Sequence, residues 1–294
     1  MGVCSRCGRF LCDECRAASP QPVCLECVDK LEPRLRVRFA PFGFGRTLSG
    51  ALSLLGGTWL RLFWVTLPFG IGAGVLSAYI TPELNPQRLS EGLWAFYGAL
   101  LIQAAYSMVV GLFGRLAGIA ILVGHAEGRE LTVDEAFGEA VRAWPRTVWA
   151  TLGAYLRCVL LGLFCLLPGL WMAVLVSQVP VTAFLRTGGA PAEESEDLVR
   201  PRFWEVLGLL AVTYATILIP LAVINGVLGA AMKLAHQPRG IALVVGGLAG
   251  EVALAPALAV LVATCYGLHR LAGKPAPLKA WRSAPPEAPV SSGL

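Results

Sequence analysis

Residues 203–228 read FWEVLGLLAVTYATILIPLAVINGVL, a run in which Glu205 is the single charge. About twenty helical residues cross the roughly 30 Å hydrocarbon core of a bilayer, and a backbone in lipid must satisfy its own hydrogen bonds, so the run predicts a transmembrane helix. Comparable apolar runs occupy residues 59–80, 93–114 with a continuation to 123, 147–167, 170–185 and 241–268. The whole chain is 56% hydrophobic and 15% charged, with a mean hydropathy of +0.65. A water-soluble domain of 294 residues could not carry that composition on its surface. The chain therefore reads as an all-α polytopic membrane protein of about six transmembrane helices.

The third and fourth runs are separated by Pro168 and Gly169, and one unbroken crossing of their combined length exceeds any bilayer, so the pair predicts a hairpin turning at those residues; a tilted or kinked single helix is the other reading. Charge sets the orientation. The connections on one side hold Arg88, Lys233 and Arg239, whereas the N-terminal region, the tail and the two opposite loops, with Arg129, Arg142, Arg146, Arg186, Arg200 and Arg202, hold most of the other cations. The Lys/Arg bias places both termini in the cytosol. The acidic group Glu193, Glu194, Glu196 and Asp197 weighs little in that assignment. No apolar signal-peptide segment opens the sequence.

The approaches to the first, third and fifth runs, residues 44–61, 131–148 and 194–208, resemble one another, each short and amphipathic with an Arg and a Trp at its membrane end. That pattern suits interfacial helices preceding membrane hairpins, and three such units would build the bundle; shared composition is the simpler alternative. The resulting organisation is a cysteine-rich module at residues 1–30, a basic juxtamembrane linker at 31–46, a six-helix domain at 47–272 and a Pro/Ala-rich disordered tail at 273–294. In the linker, Arg34, Arg36 and Arg38 suit anionic lipid headgroups.

The N-terminal module carries Cys4-x2-Cys7, Cys12-x2-Cys15 and Cys24-x2-Cys27. A C-x2-C pair presents two thiolates to one ion from a tight turn, which Gly8 helps to form, and two pairs close a tetrahedral Zn2+ site in a segment too short to bury a core. Disulfides would require an oxidising compartment, and the basic linker argues for a reducing one. The module lacks the basic, aromatic stripe of a nucleic-acid surface, so a protein partner, besides the lipid bilayer, is expected and nucleic acid is not.

The order and spacing of these pairs resemble the B-box-type zinc finger over residues 4–27, with Cys24 and Cys27 where His is common and the family's first ligand pair absent ahead of Met1. The resemblance implies that Cys4, Cys7, Cys24 and Cys27 form a complete four-thiolate zinc site and that Cys12 and Cys15 are half of a second. Either the natural start lies upstream or the module is a one-zinc remnant. Over residues 44–272, Phe44-Gly-Arg-Thr-Leu, Phe203-Trp-Glu-Val-Leu-Gly-Leu, Pro256 and Thr264-Cys-Tyr-Gly-Leu-His-Arg270 resemble the glycerophosphoryl diester phosphodiesterase membrane domain and its bacterial relatives. That likeness implies a helical bundle in a bacterial inner membrane. The family's catalytic barrel is not among these residues, so its activity is not implied.

Other chemistry is sparse. His125-Ala-Glu127 matches half of a zinc-deaminase signature without the following P-C-x-x-C, and His125 fits an interfacial loop equally well. Cys158, Cys165 and Cys265 suit small buried hydrophobes, and Gln103, Gln178 and Asn225 suit hydrogen bonds between helices. No H-E-x-x-H, G-x-S-x-G or phosphate loop is present, so the chain reads as a non-enzyme. Arg157 and Glu251 lie deep in the third and sixth runs and invite pairing, with Arg115 as a competing partner. A membrane-anchored zinc-binding interaction or scaffolding protein follows from the strongest motif. A small-solute or lipid transporter using Arg157 and Glu251, and an intramembrane enzyme of unknown chemistry, are the alternatives. A reporter enzyme active only outside the cytosol, fused after Leu294, is expected to be silent; activity there would reverse the orientation.

Overall fold

The computed structural model describes residues 2–3, 10–11, 37–38, 41–80, 93–185, 190–234 and 239–274, with backbone alone at 2–3, 10–11, 93–96, 100, 224–225, 228–234, 239–243 and 251–252. Two short strands, β1 (Gly2–Val3) and β2 (Phe10–Leu11), pair antiparallel with Gly2 opposite Leu11. The rest of the described chain is helical, and six of its helical stretches are long and apolar enough to cross a membrane. The Pro/Ala-rich tail beyond Lys274 lies outside the described residues.

The first helix, α1 (Phe44–Ile80), is 37 residues long, about 55 Å, well beyond the hydrocarbon thickness. Its buried residues Thr47, Ala51, Leu54, Thr58, Leu62, Thr66, Gly70 and Gly74 recur every three or four positions and form one stripe. That stripe faces α9 (Arg239–Leu271), which packs along most of α1. The two run antiparallel: the Phe42 amide donates to the Gly267 carbonyl at 3.1 Å near one end, and Gly247 packs on the backbone of Gly70 and Gly74 toward the other. Small residues let the two backbones approach where lipid supplies no hydrophobic drive between helices.

A second rod comprises α2 (Leu93–Tyr106), a π-helical turn (Ser107–Gly111) and α3 (Leu112–Ala126). A π turn disrupts the regular backbone ladder. Beside it, the Trp144 indole donates to the Val109 carbonyl at 3.2 Å and the Tyr106 hydroxyl donates to the Phe69 carbonyl at 3.0 Å. Nearly all of α3 is buried, and it forms the centre of the core with α1, α4 (Val133–Phe164), α9 and the short helices described next. Thr132 starts α4 with a capping box: its amide donates to Glu135 Oε2 at 2.8 Å, and the Glu135 amide donates to its Oγ1 at 3.3 Å.

After α4 come α5 (Leu166–Leu175), α6 (Val179–Leu185), α7 (Pro191–Val199) with a 3-10 turn at Arg200–Arg202, and α8 (Phe203–Leu234). The reversal expected at Pro168-Gly169 falls three residues earlier. Cys165, with φ −162° and ψ 132°, is the extended residue between α4 and α5. Proline lacks an N–H and its ring collides with the carbonyl four residues back, so Pro168 ends α4 at Phe164 and itself sits harmlessly in the first turn of α5. Gly169 then seats against Gly162, where an added Cβ would lie 2.7 Å from the Gly162 Cα.

The expected interfacial helices are corrected in part. The first two approaches are the opening turns of α1 and α4, with no break before the apolar segment; the third gives a separate helix, α7, because Pro201 interrupts the chain before α8. His125 is likewise not a loop residue. It lies buried in the last turn of α3, its imidazole against Gly57 in space that a side chain at position 57 would need. Gly57→Ala is expected to destabilise the protein by about 1–3 kcal/mol through overpacking. Adding His125→Ala should restore much of the loss, as read by thermal unfolding in nanodiscs.

Candidate functional site

The polar side chains collect where α1 begins and α9 ends. Phe42 meets Gly267 there, and the buried Tyr266 directs its hydroxyl to Glu127 Oε1 at 3.5 Å; about midway along α1, the Arg61 guanidinium pairs with Glu130 at 3.0 Å just beyond α3. Glu194 on α7 lies 3.7 Å from His269 Nε2, both side chains largely buried. Two positions along α7, Glu196 takes Arg157 of α4 and Arg200, each at 3.7 Å. A carboxylate removed from water needs a compensating partner: Glu196 has the guanidinium groups of Arg157 and Arg200, and Glu127 the Tyr266 hydroxyl, whereas the His269 Nε2 that faces Glu194 makes no hydrogen bond.

Between the two acids, Ser195 turns inward and is fully buried. Its hydroxyl donates to the Leu175 carbonyl at 2.6 Å and accepts the Gln178 amide N–H at 3.3 Å. One side chain thus secures the last residue of α5 and the residue ahead of α6. Thr182 adds a bond from its Oγ1 to the Pro191 carbonyl at 3.1 Å. These contacts hold α7 flat against the bundle with its apolar residues Leu198 and Val199 inward.

Several expected roles change on this frame. Arg157 pairs with Glu196, while Glu251 lies on α9 with its side chain outside the described residues. Arg115 is half-buried on α3 with its Nε unbonded. Gln178 is fully buried, yet its amide side chain makes no hydrogen bond, contrary to the interhelical role expected for it. Asn225 lies where the backbone alone is described. Cys265 is buried as expected, Cys158 is half-buried, and Cys165 at the α4–α5 turn is exposed. Arg38 is half-buried, with its charge within electrostatic range of Tyr266, whereas Arg34 and Arg36 lie outside the described residues. Cys4, Cys7, Cys12, Cys15, Cys24 and Cys27 also lie outside them, although β1 and β2 flank the Cys4–Cys7 pair.

Cys265 and His269 stand one turn apart on α9, with Glu194 across from His269. Among the described residues, however, no three His, Cys, Asp or Glu side chains form a group able to hold a metal ion. The arrangement joins helix ends. Sequence reasoning missed it because the acids of α7 entered only the question of orientation, where they weigh little; Ser195 set among Glu193, Glu194, Glu196 and Asp197 just before the apolar Leu198 and Val199 was the available signal. No family model, no curated protein and no solved structure matches this chain.

Ser195→Ala would leave the buried Leu175 carbonyl unbonded, a loss of about 1–3 kcal/mol. A clear drop in unfolding temperature is expected, and Ser195→Thr should recover part of it if the hydroxyl is what matters.

Proposed function

We propose that this chain is a bacterial inner-membrane protein that holds a zinc-bound N-terminal module at the polar end of its helix bundle, where the module engages a protein partner. The supporting observation is the docking of the segment that joins the two parts. Val37 is buried against Gly50, and Phe42 is buried with its amide bonded to the Gly267 carbonyl. About ten residues separate Cys27 from Val37, a reach of at most roughly 36 Å. The tether from the last cysteine pair to this docked segment is therefore about ten residues at most.

The residues fit a structural zinc ion. Antiparallel β1 and β2 pair Val3 with Phe10, on either side of Cys4 and Cys7 in the sequence, which suits a turn presenting both thiolates. Cys4, Cys7, Cys24 and Cys27 would supply four sulfur ligands, with Cys12 and Cys15 as an incomplete second set. Bound zinc would supply the folding energy that so small a segment cannot obtain from apolar burial. Four thiolates leave no open coordination position, which favours a structural over a catalytic role. The Lys/Arg bias supports a cytosolic location for both termini.

Metal analysis of the purified full-length protein tests this reading. About one zinc per chain is expected, lost in Cys24→Ser and largely kept in Cys12→Ser. Equal loss from both variants would mean a different pairing. A metal-free protein with disulfides among these cysteines would overturn the zinc reading. Capture of partners from native membranes should depend on residues 1–30, and an unchanged partner set without them would remove the interaction role.

A further inference from the structure

The turn between α4 and α5 is built as though it never reaches water. From Cys158 to Leu185 the chain carries no charged residue. At the tip, Leu163, Phe164, Leu166 and Leu167 are 77%, 90%, 80% and 73% exposed. A hairpin that crosses a bilayer must emerge into the far headgroup region, where polar and interfacial anchoring residues are the norm. Here the turn is Phe164-Cys165-Leu166.

Three contacts fix how far the hairpin reaches from the polar end of the bundle. Arg157 of α4 pairs with Glu196 of α7, and α7 packs on the end of α9, where Glu194 lies 3.7 Å from His269. About eight residues, or roughly 12 Å of helix, then separate Arg157 from Cys165. On the returning limb, the Leu175 carbonyl accepts from Ser195 of α7. All of α5 is 10 residues long, about 15 Å. Between those points, Trp171 stacks on Phe203 at 3.8 Å between ring centroids and meets Trp204 edge-on at 6.3 Å. That aromatic group stands at the start of α8 beside Arg200 and Arg202, the composition of a headgroup belt. Both limbs measure about half of a 30 Å hydrocarbon core.

We propose that the second half of α4 and α5 form a re-entrant hairpin that enters the bilayer from the side on which α1 begins and α9 ends, turns at Cys165 near the midplane, and packs its tip among the acyl chains of that one leaflet. The membrane crossings are then α1, the α2–α3 rod, α8 and α9, and both chain ends remain on one side. Helical backbone meets the lipid requirement, since α4 and α5 satisfy their own hydrogen bonds and the one extended residue, Cys165, donates its amide to the Leu161 carbonyl at 3.0 Å. A wedge of this kind occupies area in one leaflet and not in the other.

The test is a depth measurement on the full chain in phosphatidylcholine–phosphatidylglycerol nanodiscs. Phe164 is replaced by para-acetylphenylalanine and coupled through its ketone to a nitroxide, which leaves every cysteine intact. Collision with oxygen should be high and collision with a water-soluble nickel chelate low, giving a depth near the bilayer centre. Ready collision with the nickel chelate would place the tip in water and overturn the proposal, and low collision with both reagents would bury the tip in protein and overturn it equally. As an independent variant, Leu166→Lys should lower the unfolding temperature by several degrees. A lysine tolerated there without loss would mean that the turn lies in an aqueous or headgroup layer, contrary to the hairpin's proposed depth.

Discussion

A carboxylate cannot be left unpartnered beside a hydrocarbon phase, and the placement of Glu127, Glu194 and Glu196 organises this molecule. Each meets a group from another part of the chain, respectively Tyr266, His269 and the pair of Arg157 and Arg200. Together these contacts gather the end of α3, the end of α9, the second half of α4 and all of α7 at one end of the bundle. The acids are costly to bury, and at this end their surroundings offset part of that cost. The molecule is consequently asymmetric along its axis, tied through polar groups at one end and packed by small residues and apolar faces elsewhere.

The packing follows from that asymmetry. At the tied end α3 is almost wholly enclosed and behaves like the centre of a water-soluble core. Away from it, large apolar side chains face outward, among them Leu160, Leu218 and Ile219, as expected of surface that lipid covers. Contact between α1 and α9 continues down to the Gly70, Gly74 and Gly247 crossing, where the absence of side chains lets the backbones touch. The long helices thus serve two solvents, and the same α1 carries both a core face and a lipid face.

Much of this was legible in the sequence. Six apolar runs gave six helices of sufficient length, because crossing length is a property of composition alone. The turn after α4 was displaced because proline acts on the carbonyl four residues behind it, so Pro168 marks a break at Phe164 and not at itself. Arg157 was harder. Its position within an apolar run measures distance along the helix and says nothing of distance from water, and α7 returns Glu196 to meet it. His125 read as a loop residue because its neighbours His125-Ala-Glu127 lie near the end of a run, whereas Gly57 makes a notch for its ring on a helix nearly seventy positions away in sequence. The cysteine pairs themselves lie outside the described residues, and the pairing of β1 with β2 is the structural feature found beside the first of them.

The central claim is that buried partnership, and not closeness of approach, makes the polar end hold. Glu205 and Arg202 form a short 2.7 Å pair, but both side chains are about half exposed; Glu194 lies 3.7 Å from His269, whose Nε2 makes no hydrogen bond, with both side chains enclosed. Exposed pairs contribute little, while loss of one member of a buried pair leaves the other without compensation. Thermal unfolding of Glu194→Ala and Glu205→Ala, measured side by side on the full chain in nanodiscs, therefore decides the matter. The account predicts a drop of several degrees for Glu194→Ala and almost none for Glu205→Ala; equal effects, or the reverse order, would contradict it.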